Sequence, residues 1–210
     1  MGCVQAKPNY FAYAKNGQTT ELIQEILRFP ESINDRDATG FIAIHVACEY
    51  NKAESVKILI KNGADKELYS EKVSGLTPLQ ICAQYGSLDC ANVLLDMGAD
   101  INKQDPYGWT ALHFACDKKQ FAMCELLVNR GANVAATTVS KDTALHFAAK
   151  AGLVDTAKIL LAKGANINAM DKEVWTPLHT ACKWNRVEMA LFLARSGADI
   201  RTLDEVNISD

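Results

Sequence analysis

Five glycines, Gly63, Gly98, Gly131, Gly164 and Gly197, recur at intervals of 35, 33, 33 and 33 residues. Each lies 21 residues after a matching Ile42, Thr77, Thr110, Thr143 or Thr176. A fixed period of this length limits the chain to one supersecondary unit built several times and stacked, because a single unit of that size cannot bury its own apolar face. Counted from the Thr position, offset +2 reads Ile44, Leu79, Leu112, Leu145 and Leu178, and offset +17 is leucine throughout (Leu59, Leu94, Leu127, Leu160, Leu193). Offset +3 reads His45, Gln80, His113, His146 and His179.

Each copy carries its own punctuation. Thr followed by Pro or Ala starts a helix, since the hydroxyl can accept from a free N–H and proline lacks only a donor that would be unpaired. That first helix is short and ends near Gly86 or Gly152, with Asn51, Lys119 and Asn185 at the equivalent place. A second helix follows with apolar residues at helical spacing, Phe121, Cys124, Leu127 and Val128 in the central copy. The glycine of Gly131-Ala132-Asn133 then supplies a left-handed cap. Asp-x-x-Gly turns (Asp37 to Gly40, Asp105 to Gly108) lead into the next copy, so each repeat reads as helix, helix, hairpin-like finger.

The run GLTPLQICAQYG…LLDMGADIN from Gly75 to Asn102 resembles the ankyrin repeat, and the likeness extends over about residues 10–206. The resemblance implies an all-α repeat solenoid of L-shaped units, about six including a divergent N-terminal cap, with fingers and first helices lining a concave face. The repeats are placed at about 10–39, 40–74, 75–107, 108–140, 141–173 and 174–206, after a tail at 1–9. Residues 207–210 read as the start of an incomplete further repeat. In the first repeat Leu22, Ile23, Ile26 and Leu27 form the apolar stripe. The chain departs from the family pattern at Gln80, and at Lys141 and Val174, where the finger glycine is missing and the tips are expected to be shaped differently. Two extra residues within Lys66 to Ser74 predict a longer finger there.

Composition narrows the function. With 49% apolar residues the chain can bury one continuous core, and no stretch approaches the ~18 apolar residues of a membrane span. A net charge of −3 does not suit nucleic acid, which calls for a basic face. Six of the seven cysteines, from Cys48 onward, fall at helix positions where other copies have Ala or Met, so they are expected to be reduced, buried thiols in a cytoplasmic setting. The four histidines share one offset and recur a repeat apart, which fits structural hydrogen bonding and not a converging metal or general-base site. No phosphate loop, nucleophile elbow or paired-carboxylate pattern occurs. The expectation is therefore no catalytic residue, no metal and no cofactor.

Residues that break the repeat point to binding. On the fingers and late in the first helices these are Phe41, Tyr50, Leu76, Tyr85, Tyr107, Trp109, Trp175 and Trp184, with Lys118, Lys150 and Lys183 interleaved. In the resembled fold they face the concave groove, and Trp and Tyr are costly to leave in water without a purpose. Trp109 in particular is expected to lie outside the core between repeats. Lys118, Lys119, Lys150, Lys183 and Arg186 crowd the C-terminal half, favouring a protein or peptide with an acidic end, bound by a monomer. Three further features are expectations. Met-Gly-Cys at the start resembles doubly acylated proteins, which would make Gly2 and Cys3 lipid sites and the chain a membrane-tethered adaptor. Leu94 and Asp100 ahead of Asn102 look like the pattern of the asparaginyl hydroxylase that modifies ankyrin repeats. The chain also reads as the targeting segment of a larger multidomain enzyme, truncated here.

Overall fold

The structure, a computed structural model, describes residues 8–71 and 75–201. Its helix pairs fall into two compact units, Met1–Asp100 and Ile101–Asp210. The first unit holds α1 (Tyr10–Asn16), α2 (Thr19–Arg28), a 3₁₀ turn (Pro30–Ser32), α3 (Ala43–Glu49), α4 (Ala53–Lys61), α5 (Pro78–Tyr85) and α6 (Leu88–Asp96). The second holds α7 (Ala111–Asp117), α8 (Phe121–Asn129), α9 (Ala144–Ala151), α10 (Val154–Ala162), α11 (Pro177–Lys183) and α12 (Val187–Arg195). Within each unit first helices pack on first helices (α1 on α3 on α5; α7 on α9 on α11) and second on second (α2 on α4 on α6; α8 on α10 on α12). The offset +17 leucines are fully buried in this packing.

Every regular first helix starts in the same way. Thr77 N–H donates to Gln80 Oε1 at 2.8 Å, and Gln80 N–H donates to Thr77 Oγ1 at 3.3 Å, a reciprocal cap. In other repeats the Nδ1 of His45, His113, His146 or His179 accepts the N–H of residue 42, 110, 143 or 176 at 3.0–3.2 Å. An amide can only donate, so the ring proton sits on Nε2. From there it donates outward: His45 to Leu68 O (2.9 Å), His113 to Ala136 O (3.1 Å) and His146 to Trp175 O (3.0 Å). One imidazole thus caps its helix and ties it to the chain leading into the next repeat. Burial, the largest influence, pushes His45 and His113 down to about 4.

The fingers are closed by a short residue that accepts its own turn. Asp105 Oδ1 takes the N–H groups of Tyr107 and Trp109 at 2.9 and 2.7 Å, and Asp37 and Asp171 repeat the arrangement. Four fingers pair the N–H of residue 37, 105, 138 or 171 with the carbonyl four residues on, whereas Ser70 pairs with Leu76, six on. The longer finger, second in chain order, is thereby located between Ser70 and Leu76. Lys141 and Val174 both adopt φ +64, in the same left-handed region as Gly40, Gly75 and Gly108. The expectation that these two tips would be shaped differently is overturned: the backbone is kept and the side chains carry the strain, severe for a β-branched residue. At the finger bases, side-chain oxygens bridge consecutive repeats inside each unit. Asn34 accepts from Asp65 N–H, Glu67 from Asp100 N–H, Asn102 from Asn133 N–H and Asn168 from Asp199 N–H, at 2.8–2.9 Å.

Two sequence expectations are corrected by the packing. Cys48, Cys82, Cys90, Cys116 and Cys124 are buried free thiols, but Cys182 is exposed, on a helix, α11, that packs mainly on α9 and α12. In α2, which packs on α1 and α4, Leu22 and Ile26 are buried while Ile23 and Leu27 are exposed.

Two outcomes are expected. Val174→Gly should raise stability by about 1 kcal/mol, as release of a left-handed penalty of ~1–2 kcal/mol is partly offset by glycine's greater unfolded-state entropy; an unchanged urea midpoint would contradict it. His45 and His113 stay neutral in the fold to about pH 4 but take up protons near 6.5 when unfolded. Their contribution is therefore complete above about pH 6.5 and is lost as pH falls toward 4, by up to ~1.4 kcal/mol per pH unit for each histidine. Chemical unfolding at pH 7 and pH 5 measures the loss, and His113→Gln, copying the natural Gln80, should flatten the dependence.

Candidate functional site

In the second unit, the fingers ahead of α9 and α11 face the exposed turns of those helices across a cleft of about 380 Å³. Its finger wall carries Asp142, Asp171, Glu173 and Trp175, and its helix wall Phe147, Lys150, Lys183 and Trp184. Trp175 is fixed twice through its backbone, its N–H held by Asp171 Oδ1 and its carbonyl by His146 Nε2. Its half-buried ring has the Lys183 ammonium 3.9 Å from the centroid, and the Lys150 ammonium lies 5.2 Å from that of Trp184. Cation–π contacts of this kind at exposed sites contribute roughly 0.5–1 kcal/mol. They hold two lysines upright beside two aromatic faces. Burial, the largest influence, raises the Asp142 carboxyl above its usual range.

Lys150, Trp175, Lys183 and Trp184 are thus brought together as the repeat-breaking pattern implies. Lys118 lies further along, paired with Asp117 at 2.9 Å, and Asp117 also approaches Lys150 at 3.9 Å. Tyr107 is exposed, and its carbonyl accepts from Val139 N–H of the next finger. Trp109 differs from expectation. It is half-buried, with its ring centroid 4.4 Å from that of Phe147 and 4.9 Å from that of Phe114, so it belongs to the packing between repeats of this unit. In the first unit Tyr50 and Tyr85 are exposed, Lys15 sits 4.6 Å from the Tyr50 centroid, and half-buried Phe41 leans on His45 at 5.5 Å. Leu76 is only 2% exposed and offers no contact surface. Its N–H donates to Ser70 Oγ and its carbonyl accepts from Ser70 N–H, drawing it into the base of the long finger.

Sequence reasoning missed Phe147, and it read Asp142 as a break in the repeat without placing it in the site. Phe147 holds Trp109 on one side and lines the cleft on the other; its signal was aromatic residues at offset +4 in two successive repeats, Phe114 and Phe147. Asp142 is the acid at a finger position that is otherwise aromatic or aliphatic. Among the described residues no cluster of three or more His, Cys, Asp or Glu could hold a metal ion, and no helix is long and apolar enough to cross a membrane. Gly2 and Cys3 lie outside the described residues. Asn102 is exposed, and its Oδ1 accepts from Asn133 N–H.

Helix pairs stacked through capped first helices, with fingers bridged at their bases, define a repeat protein. The family described as "Ankyrin repeats (3 copies)" matches residues 10–105 and 133–204, and "Ankyrin repeat" matches 107–139. The chain belongs to the ankyrin-repeat family, whose repeats generally serve as protein-binding modules. It is similar to the target of rapamycin complex 2 subunit AVO2 of Saccharomyces cerevisiae, 36% identical over 101 residues, which are 47% of this chain and 23% of that protein. Glycerophosphocholine phosphodiesterase gde1 of Schizosaccharomyces pombe is 31% identical over 94 residues, 45% of this chain and 8% of that one. Human ankyrin repeat and SOCS box protein 6 is 34% identical over 95 residues, 44% of this chain and 22% of that one. The chain thus spans less than a quarter of each of these relatives.

The position of Trp109 sets an expectation of its own. Trp109→Ala should lower stability by roughly 2–4 kcal/mol through the cavity left beside Phe147, whereas Tyr107→Ala, at a side chain 61% exposed, should change it by about 0.5 kcal/mol or less. Thermal melts of the two variants separate these outcomes.

Proposed function

We propose that the second unit binds an extended segment of another protein in the Trp175–Trp184 cleft, with an apolar side chain on the tryptophans and an acidic end toward the lysines. The observation that carries this reading is the pairing of each tryptophan with a lysine at an open cleft. Trp184 is 47% exposed although it lies between two buried repeat positions, Ala181 and Met189. Burying such a side chain on a partner removes ~150–250 Å² from water. After ordering costs, that is roughly 2 kcal/mol or more at a hot spot.

Binding by a non-catalytic module is consistent with the family. Five buried free thiols support a reducing, cytoplasmic setting. A role as the targeting segment of a larger enzyme is supported by relatives such as the gde1 phosphodiesterase, which resembles this chain over only 8% of its length.

Selection of a displayed random heptapeptide library on the protein tests the reading. Enriched peptides should carry an apolar residue and should bind Trp184→Ala about 30-fold more weakly, with the melt of the variant unchanged. Equal binding by wild type, Trp184→Ala and Trp175→Ala, or no enrichment at all, overturns it.

A further inference from the structure

Beside the large cleft, sharing Phe147, Lys150 and Trp184 with it, lies a smaller cavity of about 100 Å³. Its remaining charged lining is Asp117, Lys119 and Arg186. Three cations therefore face one acid, in a chain whose net charge is −3. Helix polarity alone does not require this: at the offset of Lys150 two first helices of the other unit, α3 and α5, have Glu49 and Gln84, and at the offset of Lys119 the chain there has Asn51 and Gly86.

The cations are placed by the fold. Lys119 sits at the left-handed position that ends α7 (φ +58). Arg186 donates from Nε to Lys150 O at 2.9 Å, and its side chain lies over Gly152, where an added Cβ would come within 3.1 Å of Arg186 Cδ. Lys150 stands between Trp184 and Asp117, 3.9 Å from a carboxylate oxygen. That contact is at the long limit of an ion pair, and Asp117 already has Lys118 at 2.9 Å. A carboxylate thus reaches this cation from within the protein without satisfying it.

We infer that the smaller cavity is a specificity subsite for the carboxylate of an aspartate or glutamate in the bound segment, held by Lys119, Lys150 and Arg186. This rests on the binding reading above and adds the chemistry that selects the partner. Because the two cavities share three residues, the acid lies within about two residues of the side chain in the large cleft, an extended chain advancing ~3.3 Å per residue. Charge-assisted contacts of this kind discriminate partners and speed their encounter, and they weaken with salt.

The test uses peptides enriched from the heptapeptide library, resynthesised with the acid as found, as its Gln or Asn isostere, and as phosphoserine. The isostere should bind wild type about tenfold more weakly, and Lys119→Gln/Lys150→Gln should remove that difference while the apolar contribution stays sensitive to Trp184→Ala. Enriched peptides with no acid near the apolar residue would overturn the subsite and leave the cleft reading standing. Loss of all enrichment would overturn both. Phosphoserine binding more than tenfold tighter than the acid would overturn the choice of a carboxylate. So would co-sedimentation of the protein with phosphatidylserine vesicles, dependent on Lys119 and Lys150, in place of peptide binding.

Discussion

The imidazole tie at the starts of α3, α7 and α9 is the contact on which the stacking depends. A backbone amide left unpaired at a buried helix start costs on the order of 1–3 kcal/mol, and so does an unpaired carbonyl in the adjoining finger. One neutral histidine satisfies one of each. It does so only in one tautomer and only while uncharged, and burial secures the uncharged state at His45 and His113. Gln80 shows that the first half of the task needs only an oxygen at the right offset. His146 shows how the second half reaches the functional face: its Nε2 holds the carbonyl of Trp175, so the framework contact also sets the cleft wall.

Most of the fold was legible in the sequence because each signal was repeated. The capping residue, the leucine at offset +17 and the closing glycine each report a local requirement, and several copies average out accidents at any one. What could not be read were places where a neighbour decides. Lys141 and Val174 lack the glycine, yet hydrogen bonds on both sides of the finger hold the backbone in the left-handed region. Cys182 shares its offset with Cys48 and Cys116, but the offset predicts burial only where another helix lies against it.

The candidate site was legible in part for a related reason. A break in a repeat pattern marks residues that stacking does not demand, and this found Lys150, Trp175, Lys183 and Trp184. It cannot distinguish an aromatic facing solvent from one filling a gap specific to one pair of repeats. Trp109 fills such a gap, against Phe147, and Leu76 was drawn into the long finger by Ser70. Trp175 and Trp184 have a lysine at the ring, whereas Trp109 has phenylalanines.

The side-chain bridges at the finger bases do not occur at every junction. Asn102 and Asn168 supply an acceptor to the following repeat in the second unit, but the residue between them in the series is Ala135, and a methyl group accepts nothing. The amide of Asn166, the counterpart of Asn133 and Asp199, stands at an exposed residue without that clip. Under a pulling force, or in deuterated solvent, this seam is the weak stitch of the unit, and separation of its finger bases would begin there before either neighbouring junction yields.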